Sequence, residues 1–349
     1  MPRFPYEGLS SDLPALLAGA ARGKEVAIVA FHEATAPLAL NCIVSLAAFG
    51  GAHDYIVAAA GGPSLARCAA LRLPCFDAGP LLANATTLEQ RLGGSKRRAL
   101  GAGAGDEKAV IGVDGGAKRD GHDWYSLVWM KTLVTHAANA LGYDVMFADA
   151  DTVFLRDAWA AYRGLLERYD ADGTFMYEQG DYTRSDGTSF AHHFLNSGNF
   201  LLRSNARTRH MMEMWRLGYE FQVGINGNQL WLTRLDKMGY KICHEKEVCS
   251  QLKADNWAAV KPHPDQFAAA GAACAPAALG EGLCSDRRLY VHAVCRQGHH
   301  QKVAALKRLG LWFVRVDPSD HTKVEVTLPK GGALPCQGTP WNENYTLSS

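Results

Sequence analysis

Long apolar segments and an excess of charge of one sign are the features that this sequence most clearly lacks. No run approaches the roughly 20 apolar residues of a membrane helix, and residues 1–6 lack the apolar core of a signal peptide. The 36 Lys and Arg residues nearly balance the 35 Asp and Glu residues. Because no overall field attracts nucleic acid or an anionic membrane, we expect no nucleic-acid partner and no membrane segment in this chain. Any anion site must therefore be local.

A Walker-type phosphate loop is also missing. The glycine-rich stretch of residues 93–121 contains neither Gly-Lys-Ser nor Gly-Lys-Thr. Its composition is typical of a flexible surface loop, to which we assign no catalytic role.

Cysteine is sparse in the first half of the chain and denser towards its end. Of nine cysteines, six lie in the C-terminal part, at positions 243, 249, 274, 284, 295 and 336. Disulfides there would indicate a secretory compartment, provided that an N-terminal anchor is missing from this sequence. Without such an anchor, the sequence indicates a cytoplasmic protein.

The distribution of apolar residues predicts an α/β fold. With 349 residues, of which 48% are hydrophobic, the chain can bury a sizeable core. Strand-like runs alternate with helix-like stretches, which favours a parallel sheet with helices on both faces. The predicted strands are Glu25–Phe31, Asp54–Ala60, Leu73–Phe76, Asp144–Asp151, Gly173–Glu178, Phe194–Arg203 and Leu289–Val294. The predicted helices follow Pro37 and cover Asp123–Leu141, Ala158–Tyr169, Arg207–Gly218, Asn228–Met238 and His300–Leu309.

Two carboxylates close together at the end of one predicted strand are the main functional signal. Asp149 and Asp151 end the apolar run that begins at Asp144, and ligands of open α/β sheets bind beyond the carboxyl ends of the strands. Alternation along an extended chain would point both carboxylates the same way, so they could hold a divalent cation shared with substrate phosphates. The structural alternative is a helix cap and an exposed strand end.

Three further polar groups interrupt or follow predicted strands and helix starts. They are Asn196-Ser197-Gly198, Asn228-Gln229, and His292 with Gly298 and Lys302. Each has a structural alternative, namely a glycine bulge, a helix N-cap by Asn228 and a packed histidine. Their recurrence at strand ends favours one shared site, in which His292 completes a metal shell suited to manganese and Lys302 offers a point charge to a phosphate.

Several of these motifs, in this order, resemble the nucleotide-diphospho-sugar transferases of glycosyltransferase family 77, the plant and algal arabinosyl-, xylosyl- and galactosyltransferase relatives. The resemblance covers roughly residues 25–314. The motifs are Trp129-x-Lys131, Gly142-Tyr143-Asp144-Val145, Asp149-Ala150-Asp151, Leu155-Arg156-Asp157, Leu195-Asn196-Ser197-Gly198, Gln229, and His292…Gly298…Lys302…Leu306…Gly310-Leu311-Trp312.

The resemblance implies a GT-A fold, a Rossmann-like open mixed sheet flanked by helices on both faces. It implies a domain over residues 23–316, with an N-terminal extension (1–22) and a C-terminal tail (317–349). It also implies a Golgi enzyme of the cell-wall type that uses a UDP-sugar and Mn²⁺ or Mg²⁺.

By the same resemblance, the site residues take three roles. The metal ligands would be Asp149, Asp151 and His292. Catalytic residues would be Gln229, Asn228 and Asn196. The donor would contact Lys131, Asp149, Asn196, Ser197, Gly198, Gly298 and Lys302.

One departure from the family pattern concerns Asn228-Gln229, which usually reads Asp-Gln. The resemblance implies retention of the anomeric configuration, and because Gln229 is a weak nucleophile we expect front-face attack, with the acceptor deprotonated by the leaving phosphate. The missing acid also leaves open a non-catalytic sugar-nucleotide-binding scaffold. A third reading is a haloacid-dehalogenase-like phosphatase, in which Asp149 is the nucleophile.

Overall fold

The computed structural model describes most of the N-terminal two thirds of the chain and part of the remainder. The described residues are 8–21, 23–83, 121–168, 170–183, 189–220, 228, 231–232, 235, 242–243, 259–260, 289–293 and 298–329.

In the described part of the chain, nine strands form one mixed sheet, in the order β1-β4-β3-β2-β5-β8-β7-β10-β9. Strands β1 to β5 are parallel to one another, whereas β8 lies antiparallel to both β5 and β7. Their bounds are β1 Gly8–Ser10, β2 Glu25–Phe31, β3 Tyr55–Ala59, β4 Pro74–Asp77, β5 Asp144–Ala148, β7 Gly173–Thr183, β8 Ser189–Leu202, β9 Ile242–Cys243 and β10 Ala259–Val260.

Two further strand pairs lie outside this sheet. Strand β6 (Thr152–Phe154) pairs antiparallel with β11 (Tyr290–His292), and β12 (Val314–Val316) pairs with β13 (Val324–Val326). We call the β6–β11 pair the small sheet.

Seven α-helices whose full bounds lie within the described residues cover the two faces of the large sheet. They are α1 Leu13–Ala20, α2 Ala36–Ala48, α3 Gly62–Ala70, α4 Gly121–Ala140, α5 Ala158–Arg168, α6 Ala206–Glu220 and α7 His299–Arg308. Side chains alternate along a strand, so Val29 packs with the cluster that includes α2, α5 and α7, while Ile28 packs with α1, α4 and α6. The expected open mixed sheet with helices on both faces is therefore confirmed. No helix within the described residues is long and apolar enough to cross a membrane.

The N-terminal residues contribute to this core. Strand β1 pairs with β4, and the buried side chains of Leu16 and Leu17 in α1 pack against the sheet. Asp12 caps α1 by accepting a hydrogen bond from the Ala15 N–H.

The cysteine pair that the structure joins differs from the predicted region. Cys68 and Cys75 form a disulfide that ties the end of α3 to β4, and Cys42 is a buried free thiol. Of the six C-terminal cysteines, only the backbone of Cys243 lies within the described residues.

The predicted strand that ends in Asp151 is shorter than expected. Strand β5 stops at Ala148, and a turn closed by the Thr152 N–H bond to the Asp149 carbonyl (3.1 Å) leads into β6. The prediction that alternation along one extended strand brings the two carboxylates together is therefore wrong. They converge through this turn. The chain turns here because it passes from β5 of the large sheet to β6 of the small sheet, and Asp149 and Asp151 lie at that junction.

Candidate functional site

The turn between β5 and β6 places one carboxylate on each sheet. The Asp149 N–H donates to the Gly198 carbonyl (2.7 Å), which continues the β5–β8 ladder of the large sheet. The Asp151 carbonyl accepts a hydrogen bond from the Ala293 N–H (3.1 Å), which continues the small sheet. Two backbone ladders thus fix both residues independently.

A possible metal centre forms where the turn meets the end of β11. Ligand atoms of Asp149, Asp151 and His292 all lie within 4.8 Å of one another. The His292 Nε2 atom is 3.1 Å from Asp151 Oδ1 and 3.9 Å from Asp149 Oδ2. Mixed imidazole and carboxylate ligands suit manganese and related divalent ions. The structure thus brings together the three predicted metal ligands.

A close approach of the backbone at Gly198 shapes this centre. A Cβ atom at that position would lie 2.5 Å from His292 Cε1 and 2.7 Å from Asp149 Oδ2. Only a glycine leaves the two side chains where they are, so the polar Asn-Ser-Gly interruption of β8 has a steric role. Gly198 belongs to a bulge, because Asn196 and Phe200 face consecutive residues of β7.

Two lysines neutralise the two carboxylates. Lys131, from α4, donates to both oxygens of Asp149 at 2.8 and 3.0 Å, and Lys302, from α7, donates to Asp151 Oδ2. The side chain of Asp151 is 9% exposed and that of Asp149 is 27% exposed. Burial raises the pKa of Asp151, but the charges of Lys302 and His292 outweigh it and hold that pKa well below its ordinary value. Asp151 is therefore a carboxylate at neutral pH.

Asn196 and Ser197, two of the predicted donor contacts, are buried beside this centre. Asn196 Oδ1 accepts the Gly198 N–H (2.7 Å), which fixes the bulge, and the Ser197 carbonyl lies 3.4 Å from Lys131 Nζ. Asn228 donates to Ser197 Oγ at 3.1 Å. Asn196, Ser197 and Asn228 therefore lie together, as the sequence predicted. Gln229 lies outside the described residues.

Gly298 and Lys302 belong to the start of α7. Gly298 is its N-cap with φ 77°, a left-handed conformation that favours glycine. Lys302 lies one turn further, so its N–H bonds to the Gly298 carbonyl (3.3 Å). Asn41 fixes the segment that follows α7, because it accepts from the Phe313 N–H and donates to the Leu311 carbonyl.

Sequence reasoning gave no role to two buried polar residues behind the centre. Asn199 and Thr152 are fully buried, and Asn199 Nδ2 donates to Thr152 Oγ1 at 3.2 Å. The available signal was a third polar residue directly after Ser197-Gly198 in an otherwise apolar strand.

Comparison with protein families identifies one that matches more than half of the chain. The family model described as nucleotide-diphospho-sugar transferase matches residues 112–306. No curated protein matches this chain.

Distant likenesses among solved structures include two glycosyltransferases. The glycosyltransferase GlyE of Streptococcus pneumoniae TIGR4 is 12% identical with a TM-score of 0.35, and the match covers 78% of this chain. This chain thus spans about half, 55%, of that longer protein. Mouse xyloside xylosyltransferase 1, in its apo form, is 15% identical with a TM-score of 0.32, over 61% of this chain and 81% of that one.

The family match and the geometry concern the same part of the molecule. The mixed sheet, with a carboxylate turn after a central strand, agrees with the GT-A fold expected above. Residues 112–306 make up more than half of the chain and include both lysines, both aspartates and His292. This protein therefore belongs to the nucleotide-diphospho-sugar transferase family.

Proposed function

We propose that this protein is a metal-dependent retaining glycosyltransferase. It would move a sugar from a UDP-sugar to a hydroxyl group of a glycan or glycoprotein. The observation that carries the proposal is the convergence of Asp149, Asp151 and His292 between Lys131 and Lys302. The narrower resemblance to glycosyltransferase family 77 stays part of this proposal.

The three ligand residues fit a divalent cation. They supply hard carboxylate oxygens and one imidazole nitrogen, and the missing Cβ of Gly198 keeps the space beside them open. We propose Mn²⁺ or Mg²⁺ at these residues. When bound, such an ion supplies electrostatic stabilisation of the leaving diphosphate.

The charges of the site indicate that cation and donor bind together. Lys131 and Lys302 already balance Asp149 and Asp151, so a cation alone or a nucleotide diphosphate alone would disturb that balance. A divalent cation and a diphosphate with one negative charge on each phosphate offset each other. We therefore expect UDP to bind weakly unless metal is present.

The start of α7 is the proposed diphosphate contact. Its first N–H groups have no partner within the helix, and the backbone at Gly298 is exposed. A helix N-terminus favours anions, and Lys302 adds a charge one turn away. In this role Lys302 exchanges its bond with Asp151 for a phosphate oxygen.

Front-face transfer is the mechanism that the contacts favour. Both carboxylates of the centre are proposed ligands of the cation, so neither is free to attack the sugar as retaining glycosidases do. Lys131 keeps Asp149 in place beside the buried Asn196 and Ser197. With no carboxylate nucleophile among these groups, the leaving phosphate would take the acceptor proton.

The compartment is also a proposal. The Cys68–Cys75 disulfide favours an oxidising environment, in line with the Golgi lumen rather than the cytoplasm.

UDP release tests the proposal directly. Wild-type protein and Asp151→Asn would be assayed with a panel of UDP-sugars in Mn²⁺, in Mg²⁺ and with chelator. Metal-dependent release from one donor, lost in Asp151→Asn, is the expected result. Metal-dependent UDP binding without release would indicate the sugar-nucleotide-binding scaffold. Absence of UDP binding, together with covalent phosphorylation of Asp149, would overturn the proposal in favour of the phosphatase.

A further inference from the structure

The candidate metal centre is divided between two sheets, which raises the question of what holds its halves together. Asp149 follows β5 of the large sheet, whereas Asp151 and His292 belong to the small sheet. The backbone turn connects Asp149 to Asp151, and apolar side chains of both sheets pack in one core cluster. Metal affinity requires ligand atoms held in a fixed arrangement, so contacts between the sheets matter.

Asn199 makes such a contact. It lies on β8 of the large sheet, in register with Ala148, the last residue of β5. The bulge at Ser197–Asn199 leaves Asn199 without a cross-strand partner residue on β7, and its side-chain amide donates to Thr152 Oγ1 on the small sheet (3.2 Å). This bond is buried and is thus sheltered from water.

Thr152 is the residue through which this contact reaches the ligands. Its N–H closes the turn by bonding to the Asp149 carbonyl (3.1 Å), it follows Asp151 directly, and it is the cross-strand partner of His292. One side-chain bond therefore fixes a residue that touches all three ligand positions through the backbone.

A tyrosine extends the connection to the helix layer. The Tyr162 hydroxyl, buried in α5, donates to Asn199 Oδ1 at 3.5 Å, the longest bond of the set. It orients the Asn199 amide, because it occupies the oxygen and leaves the NH₂ group for Thr152.

We infer that Asn199 and Thr152 are positioning residues of this transferase, which set its affinity for the catalytic cation by joining the two sheets. This inference rests on the proposed function, since it presupposes a cation at Asp149, Asp151 and His292. Neither residue touches the donor or the reacting atoms. Their effect is on metal affinity, which outer-shell partners of metal ligands typically change by about 10–100-fold.

The test is Mn²⁺ binding in the presence of UDP, measured by electron paramagnetic resonance and by calorimetry. We expect Asn199→Leu and Thr152→Val to weaken Mn²⁺ binding about 10–100-fold, whereas Thr152→Ser, which keeps the hydroxyl, stays near wild type. In activity assays both weakened variants should need more Mn²⁺ but regain the wild-type kcat at saturation. A purely structural role would not lower the Mn²⁺ affinity while leaving kcat at saturating Mn²⁺ unchanged.

A matched control distinguishes metal positioning from general destabilisation. Asn139 is equally buried, but it donates to the Tyr143 and Arg203 carbonyls, which lie beside the start of β5, at the end of that strand opposite the metal centre. Asn139→Leu should lower stability and leave Mn²⁺ affinity unchanged. If Asn199→Leu and Thr152→Val bind Mn²⁺ as wild type does, while Asp151→Asn does not, the positioning role is refuted and the metal centre stands. If Asp151→Asn binds Mn²⁺ as well as wild type, the metal centre itself is refuted, and the inference with it.

Discussion

Replacing Gly198 by alanine isolates the steric requirement of the centre. The new methyl carbon would lie 2.5 Å from His292 Cε1, 2.7 Å from Asp149 Oδ2 and 2.8 Å from Asn196 Oδ1. None of the three can move freely, since His292 is buried and Asp149 is held by Lys131. The backbone of Gly198 is not in the left-handed region, so the expected effect comes from space and not from φ.

The magnitude follows from two separate effects. Overpacking of a tight interior costs about 1–3 kcal/mol, which chemical denaturation would detect. Displacement of His292 and Asp149 should also weaken Mn²⁺ binding by at least about 10-fold, because both are proposed ligands.

Gly23→Ala is the matched control, because a Cβ there meets no atom within 4 Å. It should leave stability and Mn²⁺ affinity unchanged. If Gly198→Ala behaved in the same way as this control, the close packing of the centre would be refuted, and with it the steric explanation for the Asn-Ser-Gly interruption.

Three further predictions concern the scaffold. Burial is the main cause that raises the pKa of the Asp144 carboxyl group. The stability that this group contributes is therefore complete below its unfolded-state pKa and is lost as pH rises through its higher folded-state pKa. Asp144→Asn should therefore raise Tm at pH 7, and a scan towards about pH 4 should show that gain disappear; a constant gain would contradict the shift. Asn41→Leu leaves a buried N–H and a buried carbonyl without their partner, at a cost of about 2–6 kcal/mol in urea unfolding, unlike Asn41→Asp, which retains the acceptor for the Phe313 N–H. Reduction of the Cys68–Cys75 disulfide, which closes a short loop, should lower stability by about 2–3 kcal/mol, and a Cys68→Ala/Cys75→Ala double variant should not respond to reductant.

Local patterns predicted the elements whose signal is contained in a few consecutive residues. The run Glu25–Phe31 is a strand in the structure with the predicted bounds, and the predicted helix Asp123–Leu141 corresponds to α4. The three metal-ligand candidates converge because the turn after β5, which carries Asp149 and Asp151, meets the end of β11, where His292 lies. That ligands lie beyond the carboxyl end of a strand such as β5 is a general rule of open α/β sheets. No element was predicted over residues 8–20, since β1 is an edge strand defined only by its distant partner β4.

Features that depend on distant partners were not predictable in the same way. The sequence indicated that Lys131 would reach the donor, but its partner in the structure is Asp149, a contact that requires the packing of α4 on β5. The bulge at Ser197–Asn199 depends on the register between β7 and β8. Asn199 lies in this bulge and donates to Thr152 from there, a contact with a strand of another sheet that local sequence does not indicate.

The lysines connect the stability of this fold with the chemistry proposed for it. Two carboxylates placed side by side repel each other, and burial adds a desolvation cost. Lys131 and Lys302 offset both effects, so Asp151 is ionised and both carboxylates are oriented before any ligand arrives. Fixed charges that need no reorganisation are the most effective means of stabilising charge that develops in a transition state. The same ion pairs that allow Asp149 and Asp151 to lie together thus prepare the site for a cation and a leaving diphosphate.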